Sequence, residues 1–77
     1  MNTEQLHANL VRLEIPHWTY QLYDGPIDDR LVLEERKGKW LVYFSERGGK
    51  HNLSTFDSEP EACDHFFEMA KKYLTRK

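Results

Sequence analysis

The chain has 77 residues, 39% hydrophobic, 13% aromatic and 31% charged, the composition of a globular domain rather than a disordered one. With 11 Lys and Arg against 13 Asp and Glu the net charge is -2, too little positive charge to hold a nucleic-acid backbone without a strong local patch. A chain this short removes only roughly 60% of its surface from water on folding, so one small core and one domain over residues 1–77 are expected.

The single cysteine, Cys63, leaves no internal disulfide and fits a reducing compartment. Met1-Asn2-Thr3-Glu4-Gln5 carries acid where a signal peptide carries base, and no apolar run approaches the roughly 18 residues of a membrane span. A cytoplasmic protein without a membrane partner is expected.

Thr3 is placed to cap a first helix, Glu4 suits its positive dipole end, and Leu6, Leu10 and Leu13 recur at helical spacing. Pro16 ends that helix and forces Ile15 into an extended conformation. From His17 to Tyr23 the pattern alternates, with Trp18, Tyr20 and Leu22 on one face of a half-buried strand. Asp24-Gly25-Pro26 then reads as a turn that reverses the chain.

Leu31–Arg36 and Lys39–Ser45 read as a hairpin about Lys37-Gly38, pairing Leu33 with Val42 and Leu31 with Phe44. Trp40, Val42 and Phe44 share its core face. The opposite face holds Val32, Glu34, Leu41 and Tyr43, more apolar than solvent alone requires; either a further element covers it or it is an interaction surface.

The glycines of Ser45-Glu46-Arg47-Gly48-Gly49-Lys50-His51 lie between two strands, whereas a phosphate-binding loop needs them between a strand and a helix. They read as a hairpin tip. A two-residue loop at Gly48-Gly49 opposes Arg47 with Lys50. A three-residue loop opposes Glu46 with Lys50 and sets Phe56 against Trp40; it avoids facing like charges and is the expected register.

Ser58-Glu59-Pro60-Glu61 opens the last helix with an N-cap, a first-turn proline and a capping-box acid. Ala62, Phe66, Ala70 and Tyr73 form one apolar stripe and Cys63, Phe67 and Leu74 another, with Phe67 expected in the core. Lys71, Lys72, Arg76 and Lys77 complement the negative dipole end. The fold expected is α+β: an N-terminal helix, a four-stranded antiparallel sheet and a C-terminal helix, both helices on one sheet face.

Chemistry is sparse. His7, His17, His51 and His65 share no ligand spacing, so no metal or other cofactor is expected, and His51 beside Glu46 has no evident pocket in which to act as an acid–base pair. No catalytic residue is expected, and the chain is not read as an enzyme. Asp24, Asp28 and Asp29 cluster in one turn beside Tyr23 and Tyr43. That cluster is either a solvated loop or an acidic, aromatic-bearing surface for a basic protein partner.

The run KWLVYFSERGGKHNLSTFDSEPEAC, followed shortly by HFF, resembles a family of small bacterial immunity proteins of polymorphic and contact-dependent toxin systems. The matching features include Trp40, Val42-Tyr43, Ser45-Glu46-Arg47-Gly48, Lys50, Leu53, Phe56, Ser58-Glu59, Glu61-Ala62-Cys63 and Phe66, and earlier Ile15-Pro16 and Leu33-Glu34. The resemblance implies inhibition of a cognate toxin domain, often a nuclease, by binding without chemistry. It carries no defined set of contact residues. Where relatives have a glycine-rich turn this chain has Asp24-Gly25-Pro26-Ile27-Asp28-Asp29, so the contact surface expected is Tyr23, Asp24, Asp28, Asp29, Tyr43, Glu46 and Arg47. The alternative is a nucleic-acid-binding domain using an aromatic sheet face rimmed by Arg36, Lys37, Lys39, Arg47 and Lys50, a footprint weakened by Glu34, Glu35 and Glu46. A homodimer through an apolar sheet face stays open.

Overall fold

The first helix, α1 (Thr3–Arg12), is capped by Asn2, not by Thr3. The Asn2 side chain accepts from the Gln5 N–H at 2.8 Å while the Gln5 side chain accepts from the Asn2 N–H at 2.9 Å, so two otherwise orphaned donors are satisfied reciprocally. At its other end the Glu14 N–H donates to Val11 and the Ile15 N–H to Leu10, a closure that requires a left-handed residue. Glu14 takes that role at φ 58. The structure, a computed structural model, describes residues 1–22, 29–47 and 49–75.

After Pro16, His17–Thr19 forms a short 3-10 turn and only Tyr20–Gln21 is strand, β1. The longer strand expected from His17 is thus absent, and Trp18 is exposed rather than half-buried. β2 (Arg30–Arg36), β3 (Lys39–Glu46) and β4 (Gly49–Phe56) follow, and the sheet order is β1-β2-β3-β4. β1 runs parallel to β2, pairing Tyr20 with Leu31 and Gln21 with Val32, while the other pairs are antiparallel. The sheet is therefore mixed, and the fully antiparallel expectation is corrected. Alternation reports which face a residue occupies, and it is the same in both strand directions. The turn at Asp24-Gly25-Pro26 lies outside the described residues.

The β2–β3 hairpin has the expected register, Leu33 with Val42 and Leu31 with Phe44. Its two loop residues, Lys37 and Gly38, both have positive φ (53 and 80), the conformation whose twist matches that of the flanking strands. In the next hairpin Glu46 faces Gly49 and Ser45 faces Lys50, so Glu46 does not face Lys50 and the three-residue expectation is corrected. Phe56 still faces Trp40. The extra residue that this requires sits in the strand instead, as a bulge opposite Val42–Phe44 where Asn52 takes φ 57. Asn adopts that left-handed conformation at less cost than most residues.

α2 spans Glu59–Tyr73 after Ser58. The Ser58 hydroxyl donates to the Glu61 carboxylate at 2.9 Å instead of accepting from the helix backbone. One core cluster joins Leu6 and Leu10 of α1, Ile15, Tyr20, Leu31, Leu33, Val42 and the α2 residues Ala62, Cys63, Phe66 and Ala70. Phe66 is wholly buried and meets Tyr20 edge-on at 6.4 Å. Phe67 only packs against the cluster's margin, with the Lys71 ammonium 4.9 Å from its ring centroid. Successive side chains on a helix point about 100° apart, and the neighbour is the one that faces inward.

Candidate partner-binding end of the domain

Three contacts gather the starts of both helices and of β3 at one end. The Thr3 N–H donates to the Glu59 carboxylate at 2.9 Å, the Met1 ammonium meets Asp64 at 3.2 Å, and Lys39 pairs with Asp57. The opposite end holds the end of β3 and the end of α2, joined by Phe44 against Tyr73 at 5.7 Å. There the Asp29 N–H donates to the Ser45 carbonyl at 2.6 Å, placing the start of β2 beside the end of β3. Because β1 is parallel to β2, the 3-10 turn that precedes β1 reaches this end and touches β2.

Of the residues expected to bind a partner, Asp29, Glu46 and Arg47 come together at this end, all exposed. Asp29 and Arg47 both hold positive φ, 64 and 48, as turn positions demand. Tyr23, Asp24 and Asp28 lie outside the described residues. Tyr43 is the correction: it is wholly buried on the sheet face opposite Leu31, Leu33 and Val42. Its hydroxyl donates to the Glu34 carboxylate at 2.6 Å, which also meets Arg36 at 3.1 Å, and the Lys50 ammonium lies 5.2 Å from its ring centroid. Burial and the Glu34 carboxylate push the Tyr43 hydroxyl well above its ordinary pKa. Tyr43 is a packed, neutral pillar of this face and is not a contact residue.

Three of the five cations of the nucleic-acid alternative are engaged as well, while Lys37 and Arg47 are exposed. Arg36 is held by Glu34, Lys39 by Asp57 and Lys50 by the Tyr43 ring. Trp40, Phe44 and Phe56 pack against the core cluster, so those aromatics offer little face for base stacking.

Four side chains that the sequence reading put in apolar stripes, or left aside, are exposed: Val11, Leu13, Trp18 and Tyr73. The signal for Leu13 was Pro16, since α1 stops at Arg12 and the third leucine of the stripe falls beyond it. Tyr73 sits in the last turn of α2, with Lys72 5.3 Å from its ring centroid. Cys63 offers no chemistry: burial, then the Glu59 carboxylate, pushes its thiol up to about 11, which keeps it protonated and unreactive.

Among the described residues, no group of three or more His, Cys, Asp or Glu is placed to hold a metal ion, and no helix is long and apolar enough to cross a membrane. Comparison with protein-family models, curated proteins and solved structures yields no match.

Proposed function

We propose that this chain is an immunity protein that binds and neutralises a cognate bacterial toxin domain in the cytosol, a nuclease by preference, by covering its active site or substrate groove. The observation that supports the reading is the gathering of Asp29, Glu46 and Arg47, all exposed, where the Asp29 N–H ties the start of β2 to Ser45. The proposal extends to Tyr23, Asp24 and Asp28, which lie one to six positions before Asp29 in the chain and outside the described residues. A nuclease presents cations where it holds phosphates, so an acidic surface on a rigid sheet end attracts that groove and excludes its substrate. Inhibition of this kind needs no bond-making residue. The core supports the necessary rigidity: residues of both helices contribute to the cluster that holds Leu31, Leu33 and Val42.

The test is co-expression with the toxin domain encoded beside this chain, followed by titration of the purified pair. Rescue of growth and loss of nuclease activity at one equivalent are the expected results. Absence of a complex, together with tight and steeply salt-dependent binding to labelled RNA or DNA, would transfer the function to the nucleic-acid class.

A further inference from the structure

β4 has a strand beside it on one side only, because the sheet order is β1-β2-β3-β4. The outer row of N–H and C=O groups on such a strand is a template to which another extended chain can add itself. β4 is eight residues long, and Lys50, His51, Asn52, Leu53 and Thr55 are all exposed, Leu53 by 51%. β1, at the other edge, has only two residues, and shortness is itself a protection.

The usual protections of a long edge are missing from Gly49–Phe56. It contains no proline, and its one charged residue is Lys50, whose ammonium is drawn over the Tyr43 ring of the neighbouring strand. What the strand has instead is one extra residue. The register steps by one between the pairs Val42–Ser54 and Phe44–His51, and Asn52 stands in the step at φ 57. Outward-turned groups of a regular antiparallel strand recur at every second residue, so the step leaves Gly49–His51 and Leu53–Phe56 out of phase along the open edge. A straight incoming strand can match one of these halves but not both, and each is shorter than the roughly five or six residues of an ordinary strand.

We propose that the Asn52 bulge guards this edge: it keeps β4 from pairing with the β4 of a second copy, and a chain without it joins edge to edge. The strand is complementary to itself once the bulge is gone. With Asn52 removed, Leu53 stands midway between Lys50 and Thr55 in the chain, so a two-fold axis at Leu53 sets Leu53 against Leu53 and Lys50 against Thr55, with no like charges opposed. The inference stands apart from the inhibitor reading, whose surface holds Asp29, Glu46 and Arg47.

Sedimentation velocity of the full chain from about 5 to 500 µM reads the difference. Wild type should show no association through β4, and neither should Asn52→Gly, which keeps the left-handed residue without steric cost. The chain lacking Asn52 should be dimeric or larger at the top of the range. Adding Leu53→Lys to the deletion should return it to monomer, because two ammonium groups then meet at the axis. Amide hydrogen exchange locates the contact: protection of Gly49–Phe56 should rise with concentration in the deletion variant and not in wild type. Circular dichroism and thermal unfolding report that each variant is folded; if the deletion does not fold, Asn52→Val, whose branched side chain disfavours a positive φ, carries the test with the same readouts. A deletion variant, or Asn52→Val in its place, that folds and stays monomeric to the top of the range overturns the proposal. So does a wild type that already pairs through β4, or an association that Leu53→Lys leaves intact.

Discussion

The Tyr43 hydroxyl donates to the Glu34 carboxylate across two neighbouring strands, and Arg36 closes the arrangement from the other oxygen. The bond is buried and charge-assisted, so Tyr43→Phe should cost about 1.5–3 kcal/mol in urea unfolding. A second consequence concerns alkaline pH. The folded state raises the Tyr43 pKa above its unfolded value of 10.0, so its contribution is fully present below that value and declines as pH rises beyond it. The urea midpoint of the wild type should fall more steeply above about pH 10 than that of Tyr43→Phe. Equal slopes would mean the hydroxyl is not held neutral by the fold.

Phe66 and Phe67 provide a contrast one residue apart. Phe66→Ala empties a wholly buried site beside Tyr20 and should cost about 3–5 kcal/mol. Phe67→Ala removes a marginal ring and its contact with Lys71, and its urea midpoint should move less than half as far. A larger shift for Phe67 would place the core boundary on the other side of α2.

Glu14 ends α1 in a conformation that glycine adopts without steric cost. Its side chain is exposed, so little is lost with it. Glu14→Gly should therefore stabilise the domain by about 0.5–1 kcal/mol, a thermal midpoint gain of a few degrees. A lower midpoint would show that the carboxylate makes a contact worth more than the strain.

For the inhibitor reading, Asp24→Asn, Asp28→Asn and Asp29→Asn combined should keep the fold, since Asn tolerates the positive φ of Asp29 and the backbone donor to Ser45 is untouched. Stopped-flow association with the toxin domain should slow about tenfold at low salt and lose much of its salt dependence. Unchanged association would remove the acidic turn from the interface.

Much of this fold is legible from local chemistry. Lys37-Gly38 announces its turn and thereby the β2–β3 register, and Ser58 with Pro60 marks the start of α2. What escaped was decided by longer-range geometry. No local pattern distinguishes a parallel β1 from an antiparallel one, and the loop at Arg47 depends on a bulge at Asn52 several residues away. At the candidate site, Glu46 and Arg47 were recognisable as tip residues. Tyr43 was not recognisable as buried, because its partner Glu34 looks like any solvated strand acid until the two strands are paired. Trp18 and Tyr73 looked like core residues by type, and only the ends of their elements leave them outside.

The contact between the Thr3 N–H and the Glu59 carboxylate joins residues 56 positions apart, and the packing of α1 against α2 behind it spans the same interval. During synthesis, Leu6 and Leu10 emerge long before Phe66 and Ala70, the α2 residues of their cluster. An α1 made alone is too short to persist as a helix in water, so its leucines remain available to chaperones or neighbouring chains until α2 has left the ribosome. The domain is consequently assembled after translation of its last helix, in one cooperative step. A ribosome stalled before Phe66 should carry a chain that proteases digest throughout.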